Sequence, residues 1–115
     1  MIKANELRLG NLVEKGGEWF EADYITIHMA HNYNPIPLTP EILERCGFKK
    51  TKFKWRIDEG DAFYLYGSNG FYAPFVMPEI KYLHQLQNIY YAMTGEELEY
   101  KPEMAHENGR PNKKP

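Results

Sequence analysis

The stretch IKYLHQLQNIYYAM, residues 80–93, decides the fold class of this 115-residue chain. Its large apolar residues recur at intervals of three or four positions: Leu83, Leu86, Tyr90 and Met93. That spacing places them on one side of an α-helix of about three to four turns, with Ile89 widening the stripe. Gly95 is suited to end this helix. The stretch therefore predicts an amphipathic helix that needs an apolar surface to pack on.

Strands that precede this helix supply such a surface. Residues 52–57 alternate strictly, with Phe53, Trp55 and Ile57 facing one way and the basic side chains the other. Two further strands are predicted over residues 62–66 and 71–77, joined by turns at 58–61 and 68–70. We therefore expect an antiparallel sheet with the C-terminal helix packed on it.

The N-terminal third predicts a β-meander. Two β-prone runs, residues 11–15 and 18–22, flank Gly16-Gly17, a pair that favours a hairpin. A third run, residues 24–29, is rich in β-branched and aromatic residues and predicts a third strand. Such a meander is common in small SH3-like barrels, although three strands do not establish closure.

A short capped helix is predicted between the meander and the sheet, over residues 40–46. Thr39 has the side chain of an N-cap, and Gly47 is suited to end the helix. Leu38 and Leu43 have the spacing of a hydrophobic staple. The predicted fold class is therefore α+β, as a single domain over residues 1–100.

Composition narrows the setting. Residues 101–115 contain few apolar side chains and predict a mobile tail. A net charge of −2 does not favour general binding to DNA, where phosphate contacts dominate affinity. No apolar run approaches the ~20 residues of a membrane span, and the N-terminal residues lack the apolar core of a secretory signal. The single cysteine, Cys46, excludes an internal disulfide, so we expect a cytoplasmic protein. Because no membrane span is predicted, we expect no membrane partner.

The sequence predicts neither an enzyme nor a cofactor. It contains no phosphate loop, nucleotide fingerprint, Gly-x-Ser-x-Gly elbow or His-Glu-x-x-His motif. His28 and His31 have a spacing that metal ligands can have, but zinc needs three or four ligands, so no metal site is predicted. A nucleophilic pair of Cys46 with His84 is disfavoured because Cys46 lies on the apolar side of its predicted helix.

One basic cluster surrounds the alternating strand, within residues 49–56. Its members are Lys49, Lys50, Lys52, Lys54 and Arg56. They form either the solvated face of an amphipathic strand or a weak set of phosphate contacts. The alternation favours the solvated face, because it places Phe53 and Trp55 on the opposite side, where they cannot stack on bases.

The polar side of the C-terminal helix is a second candidate surface. With the flanking tyrosines it comprises Tyr82, His84, Gln85, Gln87, Asn88 and Tyr91. Amides and an imidazole differ from the Lys/Glu mixture of a purely solvating face. Their roles remain open between two alternatives: bonding to sheet ends or loops inside the protein, and contact with a partner or a twin subunit.

Three stretches together resemble a family of small uncharacterised proteins found in Bacteroidetes genomes and in the phages and prophages of those hosts. They are residues 6–13, residues 35–43 with Gly47-Phe48, and residues 80–98. The resemblance spans roughly residues 5–100, and its third stretch is the most specific. It implies a phage or mobile-element context and no particular chemistry.

These observations predict a non-catalytic binding module that contacts a protein partner or a second copy of itself. A small-ligand binder, for instance a nucleotide-sequestering protein built on tyrosine stacking and amide hydrogen bonds, is the first alternative. A weak nucleic-acid-binding accessory factor that uses residues 49–56 is the second.

Overall fold

A computed structural model describes residues 2–52, 54–57, 63–67, 70–73 and 79–101. Helices and antiparallel strands are mixed along the chain, so the predicted α+β class is confirmed. The elements are β1 (Leu12–Lys15), β2 (Glu18–Glu21), α1 (Tyr24–His28), α2 (Pro40–Arg45), β3 (Lys49–Lys50), β4 (Lys54–Arg56), β5 (Tyr64–Tyr66) and α3 (Leu83–Thr94). Short 3-10 helices span Ala4–Glu6 and Ala30–Asn32.

The N-terminal hairpin forms as predicted, but the meander does not. β1 and β2 pair antiparallel around Gly16-Gly17, where both glycines have positive φ angles. The third predicted strand is wrong, because its residues form α1. The described strands form two separate sheets, β1-β2 and β3-β4-β5, and give the predicted SH3-like barrel no support.

Helix α1 forms because a local cap outweighs strand propensity. The Asp23 side chain accepts hydrogen bonds from the Thr26 backbone N–H at 2.8 Å and from the Thr26 hydroxyl at 2.9 Å. These bonds lower the pKa of Asp23 and satisfy a donor that would otherwise be unpaired at the helix start. Thr26 is buried and Ile27 packs on a small core, so the inner side of the helix is anchored as well.

Helix α2 confirms the strongest local prediction. The Thr39 hydroxyl accepts the backbone N–H of Ile42 at 3.2 Å. Gly47 follows the helix with a φ of +99°, and the N–H of Phe48 returns to the carbonyl of Leu43 at 3.0 Å. This is the Schellman arrangement, which needs a residue that tolerates the left-handed conformation.

The second sheet presents two chemically different faces. Its order is β3-β4-β5, with Lys54 opposite Tyr66 and Trp55 opposite Leu65. Trp55 is 6% exposed and Leu65 is fully buried, which confirms the predicted alternation on the described part of this strand. Phe53 lies outside the described residues.

The described chain has two hydrophobic cores, and helix α3 contributes to the larger one. Its apolar side enters the main one, which comprises Ile36, Leu38, Ile42, Leu43, Cys46, Phe48, Trp55, Phe63, Leu65, Ala73, Ile80, Leu83, Leu86 and Leu98. A smaller cluster lies against the hairpin and comprises Ile2, Leu7, Val13 and Ala30. Met93, predicted on the buried stripe, is 46% exposed, so the stripe ends near Tyr90.

Several predictions fall partly outside the described residues. The strand predicted at 71–77 is represented by Phe71, which bridges to Ile80, and Tyr72, which bridges to Tyr66. Residues 74–77, most of the turn positions at 58–61 and 68–70, and the tail beyond Lys101 lie outside them.

Candidate functional site

Gln87, predicted on the partner face of α3, is buried against the start of β1. Its side-chain oxygen accepts the Leu12 backbone N–H at 2.9 Å and an Asn11 amide hydrogen at 3.4 Å. Its amide nitrogen donates to the Gly10 carbonyl at 3.5 Å. Gln87 therefore satisfies the backbone at the entry to the hairpin and is not available to another molecule.

Asn88 extends the same internal network. Its side-chain oxygen accepts from Arg8 Nε and from Asn11 Nδ2, both at 2.9 Å, and its Nδ2 donates to the Glu6 carbonyl at 3.0 Å. Arg8 also bonds Glu97 at 2.9 Å. The polar side of α3 thus holds the N-terminal segment in place.

His84 is the least ordinary member of this side. It is 1% exposed, and neither ring nitrogen forms a hydrogen bond within the described part of the chain. The Glu6 carboxylate lies close to the ring, with its Oε1 3.5 Å from Nε2. Burial lowers the pKa of His84, and Glu6 opposes this only in part. The imidazole is therefore held in its neutral form at neutral pH.

The other predicted residues of this face divide between structure and surface. The Gln85 side chain accepts the backbone N–H groups of Lys81 and Tyr82 at the start of α3. Tyr82 is half-buried and stacks on His84, with ring centroids 6.1 Å apart. Tyr91 is 43% exposed and lies under the Arg8 guanidinium, 4.4 Å from the ring centroid. Of the six predicted residues only Tyr91 is an exposed one.

The basic residues lie on the second sheet, together with rings from neighbouring strands. Opposite residues of antiparallel strands share a face, so one row across the sheet contains Lys54, Tyr66 and Tyr72. A second row contains Lys49, Arg56 and Tyr64. We call these six residues the outer sheet face. Lys50 points to the opposite side in this register, with its ammonium 5.6 Å from the Trp55 ring, and Lys52 is exposed outside the strands.

The three tyrosines of the outer sheet face have close neighbours on that face. The Lys54 ammonium lies 4.4 Å from the centroid of Tyr64, and the rings of Tyr66 and Tyr72 are 6.1 Å apart. Tyr66 is 44% exposed. Sequence reasoning looked for aromatic residues on the basic strand itself and missed these three, because only the strand register brings them beside the lysines.

A second surface that sequence reasoning missed lies on α1. Tyr24 is 78% exposed and Ile25 is 73% exposed, and Met29, at the end of the helix, is 38% exposed. His28 completes this side of the helix, since positions i, i+1, i+4 and i+5 share a face. We call these four residues the α1 face. The sequence analysis predicted a strand for residues 24–29, and in a strand Tyr24 and Ile25 would lie on opposite sides. It therefore did not predict a shared surface.

A pocket of about 370 Å³ lies next to the α1 face. It is lined by Ile2, Lys3, Ala4, His28, Ala30 and His31. Its walls are mainly apolar, with the two imidazoles and one ammonium group among the lining residues. His28 belongs both to the pocket and to the α1 face.

Other candidate chemistry is limited. Burial raises the pKa of Cys46 to about 12, so its thiol stays protonated at neutral pH and is a poor nucleophile. Within the described ranges, no three His, Cys, Asp or Glu residues are grouped as they would be to hold a metal ion. Among those same residues, no helix has the length and apolar character that crossing a bilayer requires.

The comparisons with known proteins assign no function. No protein-family model matches this chain, and neither a curated protein nor a solved structure matches it. The function is therefore argued from the α1 face and the pocket beside it.

Proposed function

We propose that this protein is a non-catalytic binding module that contacts a protein partner through the α1 face. One observation carries the proposal: Tyr24 and Ile25, adjacent in the chain, are 78% and 73% exposed on a helix whose other side is anchored. The setting, a phage or mobile element of a Bacteroidetes host, is supported by the sequence resemblance alone.

The exposure of these two side chains lacks a structural reason within the described residues. Thr26 and Ile27 suffice to anchor α1, and Asp23 caps it. Side chains as exposed as Tyr24 and Ile25 contribute little to folding, whereas a few buried residues, tyrosine among them, contribute most of the binding energy of an interface. An exposed apolar cluster of this kind marks a contact surface.

The neighbouring pocket supports a protein partner in particular. An apolar pocket beside an exposed apolar helix offers both parts of an anchor site, a protruding surface and a recess for one side chain of the partner. Lys3, His28 and His31 are the polar residues among those that line it. A second copy of this chain is the other occupant that the sequence analysis left open.

A capture experiment with a matched control tests the proposal. The full chain, a Tyr24→Ser/Ile25→Ser variant and a Met93→Ser variant are used to capture partners from a lysate of a Bacteroidetes host. Met93 is 46% exposed on α3, so it controls for the loss of any exposed apolar side chain. Partners are identified by mass spectrometry and their affinity is measured with purified components.

We expect a partner that binds the wild-type chain and the Met93→Ser variant but binds the double variant at least about tenfold more weakly. Partners retained equally by all three proteins would contradict the role of the α1 face. Light scattering on the same proteins addresses self-association: a dimer that the double variant dissociates would identify a second copy as the occupant.

A small-ligand function has one observation in its favour, the same pocket of about 370 Å³. Its volume falls within the range of ligand sites, but those sites place several polar groups around the ligand. The nucleotide-sequestering alternative requires tyrosines in the pocket, and its lining contains none within the described residues. Thermal-shift measurements with nucleotides test it, and an unchanged melting temperature argues against it.

The expected location is the cytoplasm. Support comes from Cys46, which is a free, buried thiol. A reducing compartment keeps such a cysteine in that form.

A further inference from the structure

We infer that the outer edge of β2 binds an extended segment of another protein, which adds a third strand to the hairpin. The segment that this edge fits has two apolar residues between two basic ones. The edge belongs to a different element from the α1 face, so the inference goes beyond the proposed function and does not rest on it. The observation that carries it is a set of outward backbone groups that no described residue bonds.

The pairing of the hairpin shows which backbone groups point outward. On the side of β1 away from β2, the N–H and C=O of Glu14 bond Asn34 at 2.9 and 2.7 Å, and the N–H of Leu12 bonds α3. Directly opposite residues of an antiparallel pair either bond each other or both direct their backbone groups outward. Glu14 is opposite Trp19, and Leu12 is opposite Glu21. The N–H and C=O groups of Trp19 and Glu21 therefore point away from β1.

The two long edges of the hairpin differ. The outer edge of β1 is bonded to Asn34 and to α3, whereas no described residue bonds the backbone of Trp19 or Glu21 on the outer side of β2. All four residues of β2 are exposed, so both faces of the strand are open to solvent as well. An unpaired edge of this kind can accept a further strand, and β-augmentation by an extended peptide uses such edges.

The side chains of β2 suit a bound strand better than those of the other sheet. β3, an end strand of the second sheet, consists of Lys49 and Lys50, and lysines at an edge discourage pairing with another chain. β2 contains no lysine. It exposes Trp19 on one face and Phe20 on the other, at 37% and 38%. Apolar side chains of an added strand would therefore meet one ring on each face.

Charge favours a basic segment over a second copy of this chain. Glu18 and Glu21 are exposed on β2, and neither forms an ion pair within the described residues. β1 adds Glu14 and Lys15, so the paired strands contain three carboxylates and one ammonium group. A second copy would bring the same excess of carboxylates to the edge, whereas basic side chains of a partner would pair with them.

The strand register gives the pattern of the bound segment. In antiparallel pairing, four consecutive residues of the segment lie opposite Glu21, Phe20, Trp19 and Glu18, in that order. Cross-strand pairs of opposite charge and of aromatic with β-branched residues are stabilising. The segment is therefore basic, β-branched, β-branched and basic. Its first and third residues bond the outward N–H and C=O groups of Glu21 and Trp19.

Peptide binding measured by NMR tests the inference on the full chain. The probe is the octapeptide Thr-Thr-Lys-Val-Val-Lys-Thr-Thr, blocked at both ends, and its control has Glu in place of both Lys. We expect the Lys peptide to bind about fivefold more tightly or better. We also expect it to shift the amide resonances of Trp19 and Glu21 and to slow their hydrogen exchange, because a strand on the outer edge bonds those groups.

A Glu21→Lys variant tests the register with two peptides of equal composition. Glu21 is exposed, so we expect the melting temperature to stay close to that of the wild-type chain. The peptides have Glu-Val-Val-Lys or Lys-Val-Val-Glu at their centre, so they have the same net charge. We expect the variant to bind the first about threefold more tightly, because its Glu lies opposite the new Lys and its Lys opposite Glu18.

N-methylated forms of the Lys peptide test the backbone bonds. The N–H of the second valine bonds Trp19 in this register, whereas the N–H of the first valine points away from β2. We therefore expect N-methylation of the second valine to weaken binding about fivefold or more, and N-methylation of the first valine to have a smaller effect.

Three results together support the inference: preference of the wild-type chain for the Lys peptide, the position-specific preference of Glu21→Lys, and greater sensitivity to methylation of the second valine. Absence of binding at millimolar peptide, unchanged amide resonances of Trp19 and Glu21, or equal affinity of Glu21→Lys for the two isomeric peptides overturns it. A dimer in light scattering whose Trp19 and Glu21 amides are protected without peptide also overturns it, because a second copy would then occupy the edge. The Tyr24→Ser/Ile25→Ser variant should bind the Lys peptide like the wild-type chain, which keeps this result separate from the α1 face.

Discussion

Solvent exposure on two helices is the reverse of what their residue types predict. The polar side of α3 is largely buried, and the apolar α1 face is exposed. Gln87 and His84 are buried, whereas Tyr24 and Ile25 are the most exposed large apolar residues of the described chain. The amides of α3 hold the N-terminal segment, so their unusual composition has a structural cause. Within the described residues, the exposed apolar side chains of α1 have no such structural contact, and for this reason we propose that they bind a partner.

The largest expected effect is the loss of the Gln87 side chain. Gln87→Ala leaves the partly buried N–H of Leu12 and the amide of Asn11 without this acceptor. We expect the free energy of unfolding, measured by urea titration, to fall by about 2 kcal/mol. We also expect the thermal unfolding transition of this variant to shift to lower temperature.

Gln85→Ala is the matched control for this prediction. Gln85 is half-buried and, among the described residues, its side chain bonds the start of its own helix, so its loss should cost about 1 kcal/mol or less. If both variants lowered the free energy of unfolding equally, the bonds of Gln87 to the N-terminal segment would be no more stabilising than the bonds of Gln85 at the start of α3.

Arg8→Lys is expected to have the next largest effect. The guanidinium bonds Asn88 and Glu97 and lies over Tyr91, a combination that an ammonium group cannot reproduce. Because Arg8 is partly exposed, we expect a loss of about 1 kcal/mol in the free energy of unfolding.

Arg45→Lys controls for the substitution itself. Arg45 forms an i, i+4 pair with Glu41 at 3.3 Å, an arrangement in which Lys is a good replacement. We expect a change of a few tenths of a kcal/mol. A loss at Arg45 as large as that at Arg8 would argue against a special role for the Arg8 network.

The sequence predicted the elements whose signals are local. The cap at Thr39, the glycine after α2, the Gly16-Gly17 turn and the spacing of Leu83 and Leu86 each determine the conformation of a few neighbouring residues. Helix α1 was missed although its signal is local too: Asp23 and Thr26 are three residues apart, as a cap and its donor require. The β-branched and aromatic residues of 24–29 favoured a strand, and the capping pair was not recognised.

The candidate surfaces could not be predicted, because they depend on contacts between distant residues. Nothing in the sequence states that Lys54 is opposite Tyr66, or that Gln87 lies against Leu12. The three stretches that carry the resemblance lie next to one another in the described structure. The N–H of Leu38 bonds the carbonyl of Lys81 at 2.9 Å, and residues 6–12 bond α3, so the stretches are neighbours in space. Membership of the family remains a prediction.

The buried imidazole predicts a pH dependence of stability. Burial lowers the pKa of His84 in the folded state, so the unfolded chain binds the proton more readily. The free energy of unfolding is therefore unaffected by His84 protonation above the ordinary histidine pKa of about 6.5, and it decreases as the pH falls below that value. Urea titrations at pH 8.0 and 5.5 measure the difference, in a range above the titration of carboxylates such as Glu14 and Asp23, whose pKa values are lowered.

A His84→Gln variant is the control for this effect, because its side chain does not titrate. We expect its stability to change less between pH 8.0 and 5.5 than that of the wild-type chain. The Glu6 carboxylate near Nε2 opposes the shift, so Glu6→Gln should steepen the wild-type dependence. An equal free energy of unfolding at pH 8.0 and 5.5 for the wild-type chain would contradict the prediction, because it would mean that the folded and unfolded chains bind the His84 proton equally well.

The smallest expected effect on stability is that of the Tyr24→Ser/Ile25→Ser variant. Both side chains are exposed, and Tyr, Ile and Ser have similar helix propensities, so the free energy of unfolding should stay within about 0.5 kcal/mol of the wild-type value. Ile27→Ser, on the inner side of the same helix, removes apolar contact with the small core and should cost more than 1 kcal/mol. A stable double variant that has lost its partner would show that α1 keeps Tyr24 and Ile25 for binding, whereas a destabilised one would place these residues in the scaffold with the polar side of α3.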